Sequence, residues 1–121
     1  MGQAAEFTFT NETGATINEA EIRNHLQLIL RRLDYPVKFK AEVVFVGDEK
    51  ITTLNAKFRE QNNATDVLSF ADPEGSESLG SIVISLETAD RQAKEAAVPL
   101  ETEVKTLAGH GLLHLLGYDH K

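Results

Sequence analysis

The spacing of apolar positions changes from segment to segment along this chain, and each change marks an element. Over Glu6 to Thr10, Phe7 and Phe9 alternate with polar neighbours, the period of a short half-buried strand, and Asn11-Glu12-Thr13-Gly14 turns it. Asn18 followed at the third position by Glu21 has the form of a capping box, with Ile17 and Ile22 placed to staple across it. A helix starts there; Ile22, Leu26, Ile29, Leu30 and Leu33 keep the helical period, and Pro36 forbids its continuation. Phe39 to Val46 is a strand whose unbroken Val43-Val44-Phe45-Val46 predicts burial on both faces.

Asp48 is placed as the N-cap of a second helix carrying Ile51, Leu54 and Phe58 on one face and ending near Arg59. Val67 to Phe70 and Leu79 to Ser85 are two short strands joined by the turn-rich hairpin loop Asp72 to Ser78. A third helix covers Leu86 to Ala97. Pro99 precedes a fourth, which opens with acidic Glu101 and Glu103 and runs through Val104, Leu107 and His110 to Leu116. Neighbouring antiparallel strands mixed with helices predict an α+β domain: a small mixed β-sheet of about four strands with helices packed on it, the histidine helix last.

Composition narrows the class. At 121 residues, 41% apolar and 26% charged, the expectation is a single soluble domain spanning 1–121. No apolar run approaches the roughly 18 residues of a membrane span, and the start lacks the layout of an export signal, so the expected compartment is the cytoplasm. The sequence has no cysteine, which restricts any metal to His, Asp or Glu. Its net charge of −7 opposes non-specific binding to a polyanion, so a nucleic-acid substrate needs a local basic patch. Lys38 with Lys40, Lys57 with Arg59, and Arg31 with Arg32 are the candidates; each is also an ordinary solvated charge.

Three of the four histidines fall in the last stretch, His110-Gly-Leu-Leu-His114-Leu-Leu-Gly117-Tyr-Asp-His120. Histidines four apart on a helix share a face with Cβ atoms about 5–6 Å apart, close enough for both imidazoles to reach one ion at about 2.0–2.1 Å. Gly117 can take the left-handed conformation that ends the helix and brings His120 back as a third nitrogen ligand. Three imidazoles with an open fourth position form a catalytic arrangement, and zinc is the expected ion, although nickel, copper and iron accept the same donors. The stretch fits the metzincin protease pattern H-E-x-x-H-x-x-G-x-x-H except that Gly111 replaces the glutamate that serves as general base. His25, on a polar flank of the first helix, reads as an ordinary surface residue.

Leu54-Asn55 with Phe58-Arg59, Thr65-Asp66-Val67-Leu68-Ser69-Phe70, Leu79-Gly80-Ser81-Ile82 and the His110 to His120 stretch occur together and in that order. In these segments the chain resembles the YbeY family of ribosomal-RNA maturation endoribonucleases. The resemblance implies a zinc-dependent, single-strand-specific endoribonuclease that trims ribosomal RNA, notably the 3′ end of the small-subunit RNA, and serves ribosome quality control. It also implies metal ligands His110, His114 and His120 and a functional arginine, Arg59, whose forked guanidinium suits two phosphate oxygens. Thr65, Asp66 and Asp119 are expected to order the site or contact substrate, and a ribosome or ribosomal protein is the expected partner. Ser81 stands where the family usually has aspartate and Ala64 where proline is common. Members usually continue into a tail helix, whereas this sequence stops at Lys121. Two other classes stay open: a divergent metallopeptidase, and a non-catalytic ribosome- or protein-binding module with a structural metal. No membrane partner is expected, and the oligomeric state is not legible.

Overall fold

The computed structural model describes residues 5–34, 38–59, 65–73 and 75–118. β1 (Ala5–Asn11), α1 (Glu19–Leu33), β2 (Phe39–Val46), α2 (Asp48–Arg59), β3 (Val67–Ala71), β4 (Ser78–Ser85), α3 (Leu86–Ala96) and α4 (Leu100–Leu115) follow in order. The strands form one mixed sheet, β1-β2-β4-β3, with β1 and β4 parallel to β2 and β3 antiparallel to β4. This is the α+β architecture expected from the pattern. α1 is the crossover that a parallel β1–β2 pair requires.

Strand alternation sends Phe7, Ala41, Val43, Phe45, Ile82 and Ile84 to one face, where α1, α3 and α4 close over them. Ile22, Leu26 and Leu30 of α1 meet Val104, Leu107, Ala108 and Leu112 of α4 in that core. On the other face α2 stands alone over Val46, Leu68 and Val83, which pack with its Ile51. The expected burial of β2 on both faces holds at Val43, Phe45 and Val46 but not at Val44, which on the α2 side is only half-buried. One short helix is too narrow to roof the width of the sheet.

The caps show which local signals held. The Asn18 side chain accepts from the Glu21 N–H at 3.2 Å, as the capping box predicted. Asp48 is the first residue of α2 rather than its N-cap, and its carboxylate turns outward to α3. It accepts from Ser85 Oγ and Thr88 Oγ1, each at 2.6 Å, and pairs with Arg91 at 2.9 Å. The Asp48 N–H is capped instead by Glu87 Oε1 at 2.7 Å, while Ser85 caps α3 through the Thr88 N–H. Glu87 of α3 thus satisfies an orphan N–H of α2, while α3 is capped by Ser85 and tied to Asp48 through side chains. Burial opposes ionisation of Asp48, but the hydrogen bonds from Ser85, Thr88 and Arg91 and the arginine's charge outweigh it and hold the carboxyl below its usual range.

At the hairpin, β2 and β4 slip register between Lys40 and Ala41, opposite Gly80. Gly80 has φ +143, and a Cβ there would run into the Phe70 carbonyl of β3, so only glycine passes this close approach.

Candidate metal and phosphate site

α4 lies against β3 and β4 between α1 and α3. Two glycines let it sit there. A Cβ on Gly111 would lie 2.5 Å from Ile82 Cγ2, and one on Gly109 would lie 3.0 Å from Ile29 Cδ1 and 3.5 Å from His25 Nε2. With Gly109, Gly111 and Leu112 buried, His110 and His114 are left exposed, one turn apart on the outward side of the helix. Both positions fall within α4, four residues apart.

Gly117 takes the left-handed conformation as predicted. At φ +92 it donates its N–H to His114 O at 3.0 Å, and Tyr118 N–H reaches Leu113 O at 2.9 Å. These two bonds form a Schellman cap, which satisfies the last carbonyls of the helix and ends it. His120 and Asp119 lie outside the described residues. Among those described, no group of three His, Cys, Asp or Glu side chains is gathered for a metal. The donor chemistry present is two exposed imidazoles on a fixed helical face followed by a helix-ending cap, which fits a borderline ion such as zinc.

Ser69 Oγ donates to Gly111 O at 3.2 Å, so the Thr65–Phe70 segment is fastened to α4 between the two histidines. Asp66 binds inward: one oxygen accepts from its neighbours Val67 N–H (2.8 Å) and Thr65 Oγ1 (3.4 Å), the other from Gln92 Nε2 (3.4 Å). Its backbone oxygen accepts the Ser85 N–H at 2.9 Å. Asp66 therefore ties the start of β3 to α3 and β4, and Thr65 supports it. Arg59 is the last residue of α2; its side chain is outside the description. One turn before it, Asn55 is buried on the inner side of the helix. A cavity of 280 Å³ opens at the C-terminal end of α4, lined by Leu115, Phe39, Leu79 and the β3–β4 turn, though neither His110 nor His114 is in its wall.

His25 is not on a free polar flank. Its ring sits half-buried over Gly109, and desolvation first, then the charges of Lys105 and Arg32, hold its pKa below the usual histidine value. The sequence signal for this was indirect: a glycine inside a leucine-rich helix marks a close approach.

Residues 7–121 match the family model described as Endoribonuclease YbeY. Relatives of that name are similar to this chain: one from Heliobacterium modesticaldum is 38% identical over 95% of this chain and 83% of its own length. One from Synechocystis is 49% identical over 68% of this chain and 52% of its own length, so the match spans about half of that relative. A third, from Syntrophus aciditrophicus, is 40% identical over 87% and 69%. The solution structure of TM1509 from Thermotoga maritima shares the fold with a TM-score of 0.66 and 28% identity, covering 95% of this chain and 75% of that one. A match along almost the whole chain means that this protein belongs to the endoribonuclease YbeY family.

Proposed function

We propose that this protein is a metal-dependent endoribonuclease that cuts single-stranded RNA and acts in ribosomal RNA maturation, at the 3′ end of the small-subunit RNA, and in ribosome quality control. The observation that carries the reading is the exposed His110–His114 pair followed by the Gly117 cap, in a chain whose relatives bear the name Endoribonuclease YbeY.

In this reading His110, His114 and His120 hold one zinc ion. A zinc held there supplies Lewis acidity toward a phosphate oxygen and lowers the pKa of a water to about 7. The chain's own residues do the rest. The packed glycines and the Ser69 bond to Gly111 O keep the two imidazoles in register. Arg59, permanently charged and forked, holds the scissile phosphate and meets the charge that develops on it. Asp66 and Thr65 order the segment that enters β3, and Asp119 stands beside the third ligand in sequence. Gly111 is filled by Ile82, so no side chain at that position can take the role of the metzincin glutamate, which favours phosphodiester over peptide chemistry. With a net charge of −7, intrinsic RNA affinity is weak, and a ribosome or ribosomal protein in the cytoplasm delivers the substrate. No helix among the described residues is long and apolar enough to cross a membrane.

The test is cleavage of an end-labelled unstructured RNA by the parent and His114→Ala, purified in parallel, before and after chelation and zinc re-addition. Cutting by the parent alone, lost on chelation and restored by zinc, is expected. Equal cutting by both, or cutting indifferent to chelation, would overturn the proposal.

A further inference from the structure

The face of the sheet that α2 leaves open carries a groove. Its volume is 350 Å³, and it is lined by Val44, Phe70, Ser81 and Val83 of the strands and Leu54 and Phe58 of the helix. That volume is at the small end of ligand pockets, about 300–1,000 Å³. Phe58 is 57% exposed. Its ring and that of Phe70 lie at 70°, centroids 5.3 Å apart, and the exposed Lys57 ammonium sits over the Phe58 ring, where a stacking base would displace it. An aromatic ring this exposed has a cost in water unless something covers it.

Charge says what that is. Lys50, Leu54, Lys57 and Phe58 recur at helical spacing on α2, so two cations alternate with two apolar residues on one side of the helix. Lys50 lines the groove, and Lys57 Nζ lies 5.4 Å from the Phe58 ring centroid. Among the described residues neither lysine is held in an ion pair, while Glu12 stands at the groove as its acidic member. In a chain of net charge −7, a cationic rim around an exposed ring suits a ligand with flat apolar faces and regular negative charges. Unpaired nucleotides have that form: bases stack on aromatic rings and phosphates meet lysines. The next residue is Arg59, at the end of the same helix.

We propose that this groove is a nucleobase subsite in which Phe58 stacks on one unpaired base of a single-stranded RNA while Lys50 and Lys57 meet its phosphates. The proposal rests on the ribonuclease reading and adds to it: a base that must lie flat on Phe58 cannot be paired, so the groove selects single strands. Phe58 is a binding residue, and its loss weakens capture rather than turnover.

The experiment measures binding of a short fluorescein-labelled oligouridylate, and of a base-free ribose-phosphate oligomer of the same length, by anisotropy read before cutting sets in. Phe58→Ala is expected to weaken the oligouridylate about tenfold and leave the base-free oligomer unchanged, which also shows that the variant is folded. Phe58→Trp is expected to restore binding and Phe58→Leu to fail. Lys50→Gln and Lys57→Gln should each reduce the slope of log affinity against log salt by about one. Equal binding by Phe58→Leu and the parent, or an equal loss for both oligomers, overturns stacking. RNA binding indifferent to Phe58 together with lost binding to a ribosomal protein would make that protein the occupant. A parent that cuts RNA but ignores Phe58 sinks the groove alone. A parent that neither binds nor cuts RNA takes the ribonuclease reading down with it.

Discussion

On one face of the sheet α1, α3 and α4 seal Phe7, Val43, Phe45, Ile82 and Ile84 to 4% exposure or less, whereas on the other α2 alone covers Ile51 and Leu68 and leaves Phe58 57% exposed. The closed face has little slack: a Cβ on Gly111 would strike Ile82, and one on Gly109 would press on the tip of Ile29. That tightness is what a metal site needs, since ligands must be held in one geometry while the helix bearing them is exposed on its far side. The open face has a smaller buried cluster, Val46, Ile51, Leu68 and Val83, and leaves Phe58 as the apolar surface that we propose substrate covers.

The largest effect should separate the faces by stability. Leu112→Ala, at a fully buried position of α4, should cost about 3 kcal/mol, and Leu54→Ala, half-buried over the groove, about 1 kcal/mol, read from urea unfolding midpoints. Equal losses would mean that α2 is as much a part of the core as α4. Next in size, the two glycines of α4 should differ. Gly111→Ala drives a methyl into the branched, immobile Ile82 and should destabilise by about 2 kcal/mol. Gly109→Ala meets only the tip of Ile29, and the gain in helix propensity, about 1 kcal/mol, should make it close to neutral.

The smallest effect is on pH dependence. His25 titrates below its ordinary 6.5 in the folded protein, so below that pH the unfolded chain takes up the proton more readily and stability falls as the solution is acidified. His25→Gln should flatten the melting temperature just below pH 6.5 relative to the parent. Asp48, held below its ordinary 3.8, acts in a separate window: its contribution is present above that pH and disappears as pH falls through the folded value. An unchanged profile in His25→Gln would mean that its ring is fully hydrated.

Much of the closed face was legible because its signals are local. The Asn18–Glu21 box, the period from Ile22 to Leu33 and the Gly117 cap each depend on a few adjacent residues. What escaped depends on residues far apart in sequence. Asp48 has the residue type of an N-cap, but Ser85, Thr88 and Arg91 together bind its carboxylate more strongly than a helix N–H would. Val44 sits in an unbroken apolar run, yet what lies above it depends on the width of α2, which no periodicity encodes. Ala97 closes α3 at φ +58, a left-handed position for which alanine has no preference, and is held there by its N–H bond to Lys94 O. At the site, the histidine spacing was plain, while the fastening of β3 to α4 through Ser69 and Gly111 emerged only in three dimensions.

The most direct test of two faces with two tasks is steady-state cleavage of a single-stranded RNA by the parent, His114→Ala and Phe58→Ala. The account predicts that His114→Ala lowers kcat by about a hundredfold or more, while Phe58→Ala raises KM about tenfold with kcat retained. A kcat unchanged in His114→Ala, or a loss in Phe58→Ala confined to kcat, would contradict it.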